Sequence, residues 1–265
     1  MSTHSYTQVD QYFHYLAQLL ARINRTLIPS KADDSHTNLA FDSIGERLTG
    51  RWVESSVAAI LPTLKLRSLE FQWVNDRNQV VQSLALEGET DSSALEKMAK
   101  GLAQLGLSTE GFMDPMHYEI PDYSLSHKPF SLPQASELDL WVEYRQLANE
   151  ASTSVLNHWQ KNGEVRIWPH HFDTGIYLEP NGTLGIGFGW AMEDEMVGEP
   201  YFYLAGYGLK GPIDYENISK PGLGRWNITE NWKGAVLPFS ELSDNRSETL
   251  RQFIANALSA LDDRV

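Results

Sequence analysis

The chain has no cysteine, which removes disulfides, thiolate metal sites and cysteine nucleophiles together. It also has no apolar run of the roughly 20 residues that a membrane-spanning helix needs. Basic residues are outnumbered, with 21 Lys and Arg against 35 Asp and Glu and a formal net charge of −14. A surface of that sign repels nucleic-acid phosphates and anionic lipid, so neither is expected as a partner. From Met1 to Tyr15 no basic region leads into an apolar run, so no secretory signal is read and a cytoplasmic location is expected. Established catalytic motifs are missing too: no serine stands in a nucleophile elbow, and no G-x-x-x-x-G-K-[ST] phosphate loop occurs. The glycines at 185, 187 and 189 are no dinucleotide fingerprint, because they alternate within a strand instead of opening a helix.

At 265 residues the chain is long enough for one large or two small domains with a real core. Val9, Phe13, Leu16, Leu20, Ile23 and Leu27 fall at helical spacing and end before Pro29. Short strands are expected near 38–41 and 51–53. Leu69, Phe71 and Trp73 alternate with polar residues, and after a turn at 75–78 a partner runs from Val80 to Leu86, which reads as a hairpin. Ser93 and Glu96 read as a capping box for a helix that stops near Gly106. Segment 112–135 holds Pro115, Pro121, Pro129 and Pro133, too many for a helix, with at most a strand over 116–120. It carries His117, Tyr118, Glu119 and His127, and long irregular loops of this kind are often functional.

A second long helix from Ser136 to about Gln160, a group of strands and a last amphipathic helix through Leu250, Phe253, Ala257 and Leu261 complete the chain. The predicted class is α+β, with antiparallel sheets flanked by helices and two similar helix-strands-helix halves. Those halves are 1–111 and 136–265, joined by the proline-rich crossover.

The most informative stretch is Arg166 to Tyr207. Phe172, Thr174, Ile176 and Leu178 alternate with His171, Asp173, Tyr177 and Glu179, and Leu184, Ile186, Phe188 and Trp190 alternate with glycine. A loop over Pro180, Asn181 and Gly182, with Gly182 left-handed, would unite the apolar stripes by setting Ile176 opposite Ile186 and Phe172 opposite Trp190. The other face would then carry a lane of glycines beside His171, Asp173 and Tyr177, with Tyr201 and Tyr203 added by the next strand. Strand glycines commonly mark close approach of a ligand or backbone. The alternative is that a helix, or simply Tyr177 over Gly185, covers the lane.

His171 with Asp173 suits acid–base work, since a carboxylate orients and polarises an imidazole. They are the candidate catalytic pair, and Tyr177, Tyr201, Tyr203 and Glu199 are the candidate ligand-binding residues. His170 points to the opposite face of a strand and reads as a hydrogen-bonded residue at the edge of the core. The acidic loop Glu193-Asp194-Glu195 offers oxygen ligands, yet it matches a solvated surface equally well, so neither a metal nor another cofactor is expected. Trp168, Trp190, Trp226 and Trp232 would suit stacking on a ligand or simple core packing.

Trp168 to Asp173, W-P-H-H-F-D, followed by the glycine-spaced strand and E-P-Y-F-Y at 199–203, resembles an uncharacterised bacterial protein family of unknown function. The resemblance spans roughly the second half and brings no activity, ligand or catalytic residue with it. Two functions remain open. One is a soluble small-molecule-binding protein or enzyme using a glycine-floored groove. The other is a non-catalytic interaction protein whose glycine face is covered by a helix or a partner.

Overall fold

The apolar spacing near the N-terminus produces α1 (Thr3–Leu27), which fully buries Tyr6, Phe13, Leu16 and Leu20. This computed structural model describes residues 3–55, 58–216 and 218–262, and the chain termini assigned to the expected halves lie outside them. Two compact units emerge: Gln8–Val142 with Ile167–Phe172, and Met1–Thr7 with Glu143–Arg166 and Asp173–Val265. Among the described residues there are four α-helices and two six-stranded antiparallel sheets, which is the α+β class with helices on sheets.

In the unit containing Gln8–Val142, β1 (Ala40–Asp42), β2 (Arg47–Thr49), β4 (Ala59–Lys65), β5 (Glu70–Asn75) and β6 (Val80–Ala85) lie side by side, and β3 (Val53–Glu54) also pairs with β4. The expected hairpin is β5–β6, with Phe71 opposite Leu84 and a register shift after Trp73. Neither β2 nor β4 was expected from the sequence, and β4 carries Pro62 in its interior. Pro62 is tolerated at a break in the ladder: β4 pairs with β3 through Ala59 and Ile60, and with β2 only from Thr63 onward.

Helix α2 (Asp91–Gln104) packs on this sheet, its Gly101 against the side chains of Gln82 and Trp73. Its cap is Thr90, whose hydroxyl accepts from the Ser93 N–H at 3.3 Å. The expected Ser93–Glu96 box is therefore corrected by one turn, with Ser93 acting as donor inside the helix. Left-handed Gly106 terminates the helix as the sequence predicts.

In the other unit, α3 (Ala135–His158, of which Glu143 onward belongs here) and α4 (Arg246–Asp262) accompany the second sheet. That sheet runs β11 (Arg225–Ile228), β12 (Lys233–Pro238), β10 (Tyr201–Gly208), β9 (Leu184–Ala191), β8 (Thr174–Leu178), β7 (Arg166–Ile167). Its core is aromatic. Trp190 donates its indole N–H to the Tyr6 hydroxyl at 2.8 Å, and its ring lies 4.6 Å from Phe202 and 5.1 Å from Tyr144.

The β8–β9 register differs from expectation. Ile176 faces Phe188, Leu178 faces Ile186 and Trp190 faces Thr174, two residues along from the predicted Ile176–Ile186 pairing. Parity survives, so both apolar stripes do share one face. The loop is longer because the Asn181 Oδ1 accepts from the backbone N–H of Thr183 and Leu184 at 2.8 and 2.9 Å, closing an Asx turn. Gly182 has no positive φ.

Candidate functional site

The glycine lane is filled by the protein's own tyrosines. Tyr203 stands opposite Gly189, and a Cβ built on Gly189 would lie 2.7 Å from the Tyr203 hydroxyl and 2.6 Å from the Thr174 carbonyl. Tyr207 lies over Gly187, whose Cβ would meet its ring at 3.2 Å, and the Tyr177 hydroxyl lies over Gly185. Trp232 covers Gly234 on β12 in the same way, 2.6 Å from a Cβ there. Each glycine leaves room for an aromatic side chain directly over the backbone, which is the packing alternative posed by the sequence. The Tyr177 and Tyr207 rings, 5.8 Å apart, are the half-exposed part of this pavement.

The expected site residues divide. Asp173 and Tyr203 are brought together, the phenol donating to Asp173 Oδ2 at 2.7 Å. Burial, and then the Asp173 charge, push the Tyr203 phenol well above its ordinary value. Tyr201 is buried and donates to Asp194 Oδ2 at 2.7 Å. Glu199 is taken up by Ser240, accepting from its backbone N–H at 2.8 Å and its hydroxyl at 2.7 Å. Tyr177 donates to Glu179 at 3.3 Å.

His171 falls in the other unit and is not a strand residue. Trp168 to Phe172 form a turn, in which the Trp168 carbonyl accepts from the N–H of His171 and of Phe172 at 3.2 and 2.6 Å. Phe172 is left-handed at φ 56°, which ends the alternation that seemed to align His171 with Asp173. The turn is fastened to α1 through the Pro169 carbonyl, which accepts from His14 Nε2 at 2.9 Å and Gln18 Nε2 at 2.8 Å. A carbonyl cannot donate, so His14 carries a proton on Nε2, and its Nδ1 shares a hydrogen bond with the Tyr123 hydroxyl at 2.8 Å.

His170, expected to be hydrogen-bonded, is half-buried with its Nδ1 buried and unpartnered. Burial and the neighbouring His171, whose ring is 4.3 Å away, lower its basicity. It lines a shallow pocket with Trp168, Asp34, His117 and Tyr118. His117 Nε2 donates to Asp34 Oδ2 at 3.1 Å, a charge-oriented imidazole that the sequence reached only as one of the crossover's polar residues. Among the described residues no group of three or more His, Asp or Glu side chains is arranged to hold a metal ion, and no helix is long and apolar enough to cross a membrane.

The crossover forms no strand at 116–120. It is strapped to α1 by side chains: Arg25 donates to the carbonyls of Gly111 at 2.6 Å and Pro115 at 2.6 Å, and Tyr118 donates to Gln18 Oε1 at 2.9 Å. Its far end is a backbone pair, Phe130 N–H to the Glu89 carbonyl at 2.7 Å and Gly88 N–H to the Phe130 carbonyl at 2.8 Å. Beneath the segment lies a cavity of about 360 Å³. Tyr15, Gln18, Leu19 and Arg22 supply one face of α1, Asp91 and Leu95 come from α2, and Met116, Tyr118, Glu119, Ile120 and Phe130 close it. The three sources are far apart in sequence. The only local signal was the i, i+3, i+4, i+7 spacing of 15, 18, 19 and 22, which puts them on one helical face. No protein-family model, curated protein or solved structure matches the chain.

Proposed function

We propose that this protein binds a small organic molecule, and that the ligand occupies the cavity between α1, α2 and the proline-rich segment. The observation that carries this reading is the cavity's composition: mainly apolar walls from Leu19, Leu95, Met116, Ile120 and Phe130, with a few polar groups gathered from Tyr15, Arg22 and Asp91. Binding sites of small molecules have this make-up, with volumes of roughly 300–1,000 Å³. On the glycine face, by contrast, Tyr177, Tyr203 and Tyr207 take the space above the lane, so the sequence's groove gives way to this cavity as the seat of binding.

The test is a fragment screen by ligand-observed NMR on the wild type and on Leu95→Trp, in which the indole fills the cavity from its half-exposed wall. Fragments are expected to bind the wild type and to lose binding in the variant while its melting profile stays cooperative. Fragments that bind both equally, or none that bind the wild type, would overturn the reading.

A further inference from the structure

The chain spells Asn-Gly twice, at Asn162-Gly163 and Asn181-Gly182. Asparagine is a thermally labile residue. It is most so before glycine, because the main-chain nitrogen that attacks the side-chain amide then carries no Cβ beside it. The two sites are equivalent as dipeptides, and both are exposed. The fold makes them unequal.

At Asn181 the side-chain oxygen is surrounded by donors. Oδ1 accepts from the Thr183 N–H at 2.8 Å, the Leu184 N–H at 2.9 Å and the Thr183 hydroxyl at 2.7 Å. These bonds draw the carboxamide forward across Gly182, and they converge on the atom that becomes an oxyanion when Cγ is attacked. Acyl-transfer sites stabilise their tetrahedral intermediates with donors fixed in this way. The attacking group is free as well. The Gly182 N–H makes no hydrogen bond among the described residues, and nothing lies within 4 Å of where a Cβ would be. Hydrogen bonds protect an asparagine when they hold it away from the next nitrogen, whereas here they bring it over that nitrogen. Asn162 meets neither condition: its side chain has no hydrogen bond among the described residues. A Cβ on Gly163 would stand 2.7 Å from the Leu156 side chain, so packing resists ring closure there.

We propose that Asn181 is a self-modification site, converting to aspartate and isoaspartate faster than Asn162 in the folded protein. Hydroxide removes the Gly182 N–H proton, the nitrogen bonds to Asn181 Cγ, and the negative charge passes to Oδ1. Collapse of that intermediate expels Nδ2 as ammonia, which takes a proton from water and regenerates hydroxide. Water then opens the cyclic imide. Breaking the bond from nitrogen to Cγ leaves aspartate, and breaking the bond from nitrogen to the main-chain carbonyl carbon leaves isoaspartate. In isoaspartate the chain runs through Cγ, so the oxygen that closed the Asx turn becomes a peptide carbonyl and the turn between β8 and β9 is lost.

The full chain is held in mildly alkaline buffer, native and in urea, then digested at low pH. Peptide mass spectrometry follows each site through the mass change as ammonia leaves and water enters. In the native chain Asn181 should convert several-fold faster than Asn162, and in urea the two rates should converge, since only the fold separates them. The loop is exposed, so each donor counts for less than the roughly hundred-fold or more it contributes in a water-excluded site. Thr183→Val keeps the branched shape without the hydroxyl donor and should slow Asn181 a few-fold with Asn162 unmoved, whereas Thr183→Ser should keep the wild-type rate. Amide exchange at Leu184 should quicken in the isoaspartate fraction. Native rates that are equal, or faster at Asn162, would overturn the proposal, as would an excess at Asn181 that persists in urea. A Thr183→Val rate equal to that of the wild type would overturn it too. The comparison of native chain with urea needs the wild type alone, so the proposal stays open to refutation should Thr183→Val fail to fold.

Discussion

The Tyr203 hydroxyl stands 2.7 Å from where a Cβ on Gly189 would be, and it is fixed there by its hydrogen bond to Asp173. At Gly185 the obstacle is different: the hydroxyl end of half-exposed Tyr177, tethered only by a 3.3 Å bond to the exposed Glu179. Gly189→Ala therefore forces a pinned ring and the Thr174 carbonyl apart, and should destabilise the fold by about 2 kcal/mol or more, as overpacking does. Gly185→Ala only needs Tyr177 to swing into solvent and should stay within about 1 kcal/mol, since alanine also lowers the entropy of the unfolded chain. Urea midpoints of the two variants check the contrast, and equal losses would refute it.

Tyr203→Phe keeps the ring over Gly189 and Gly175 but removes the donor to Asp173. The expected loss is about 1–3 kcal/mol, the usual range for leaving a partner of a charged hydrogen bond short of a donor. Denaturant unfolding measures it, and no change would show that Asp173 is satisfied without the phenol.

His170 gives a pH dependence with a definite sign. Its folded value lies below the ordinary 6.5, burial being the main cause and His171 the next. The unfolded chain therefore binds more protons than the native one between the lowered value and 6.5, so stability rises with pH across that window and is lost on acidification. His170→Gln should remove this part of the slope. Unfolding midpoints at pH 5 and pH 7.5 should differ less in the variant than in the wild type, and identical differences would contradict the assignment.

Arg25→Ala should loosen the crossover without unfolding the sheets, because the guanidinium holds the carbonyls of Gly111, Asp114 and Pro115. Limited proteolysis should cut within 112–130 several-fold faster, as expected of a segment whose local opening has become easier. Unchanged cleavage rates would show that the remaining straps suffice.

The sequence revealed the faces of the sheet more readily than its register. Alternation at Ile176, Leu178, Leu184 and Ile186 defines a core side by parity alone, whereas the step along the strand depends on Asn181, whose side chain closes a longer loop than the Pro-Asn-Gly spelling suggests. The α2 cap was mis-set for a related reason, since Thr90 and Ser93 are both capping residues and only the backbone shows which of them accepts. His171 was aligned with Asp173 on the assumption of a continuous strand, and left-handed Phe172, a bulky residue rarely found in that conformation, breaks it. Of the cavity only the α1 face was legible, since Leu19, Leu95 and Ile120 meet only through tertiary packing.

One side of that cavity is a helix committed to the core through Phe13, Leu16 and Leu20. The facing side follows its path through side-chain bonds such as Tyr118 to Gln18 and Tyr123 to His14, and takes no part in either sheet. Substitutions or changes of length between Pro115 and Pro129 therefore leave the strand ladders intact while altering the shape and polarity presented to whatever enters. Selection thus has one fixed wall and one editable wall to work with, so descendants of this fold can diverge in what they recognise while keeping the same scaffold.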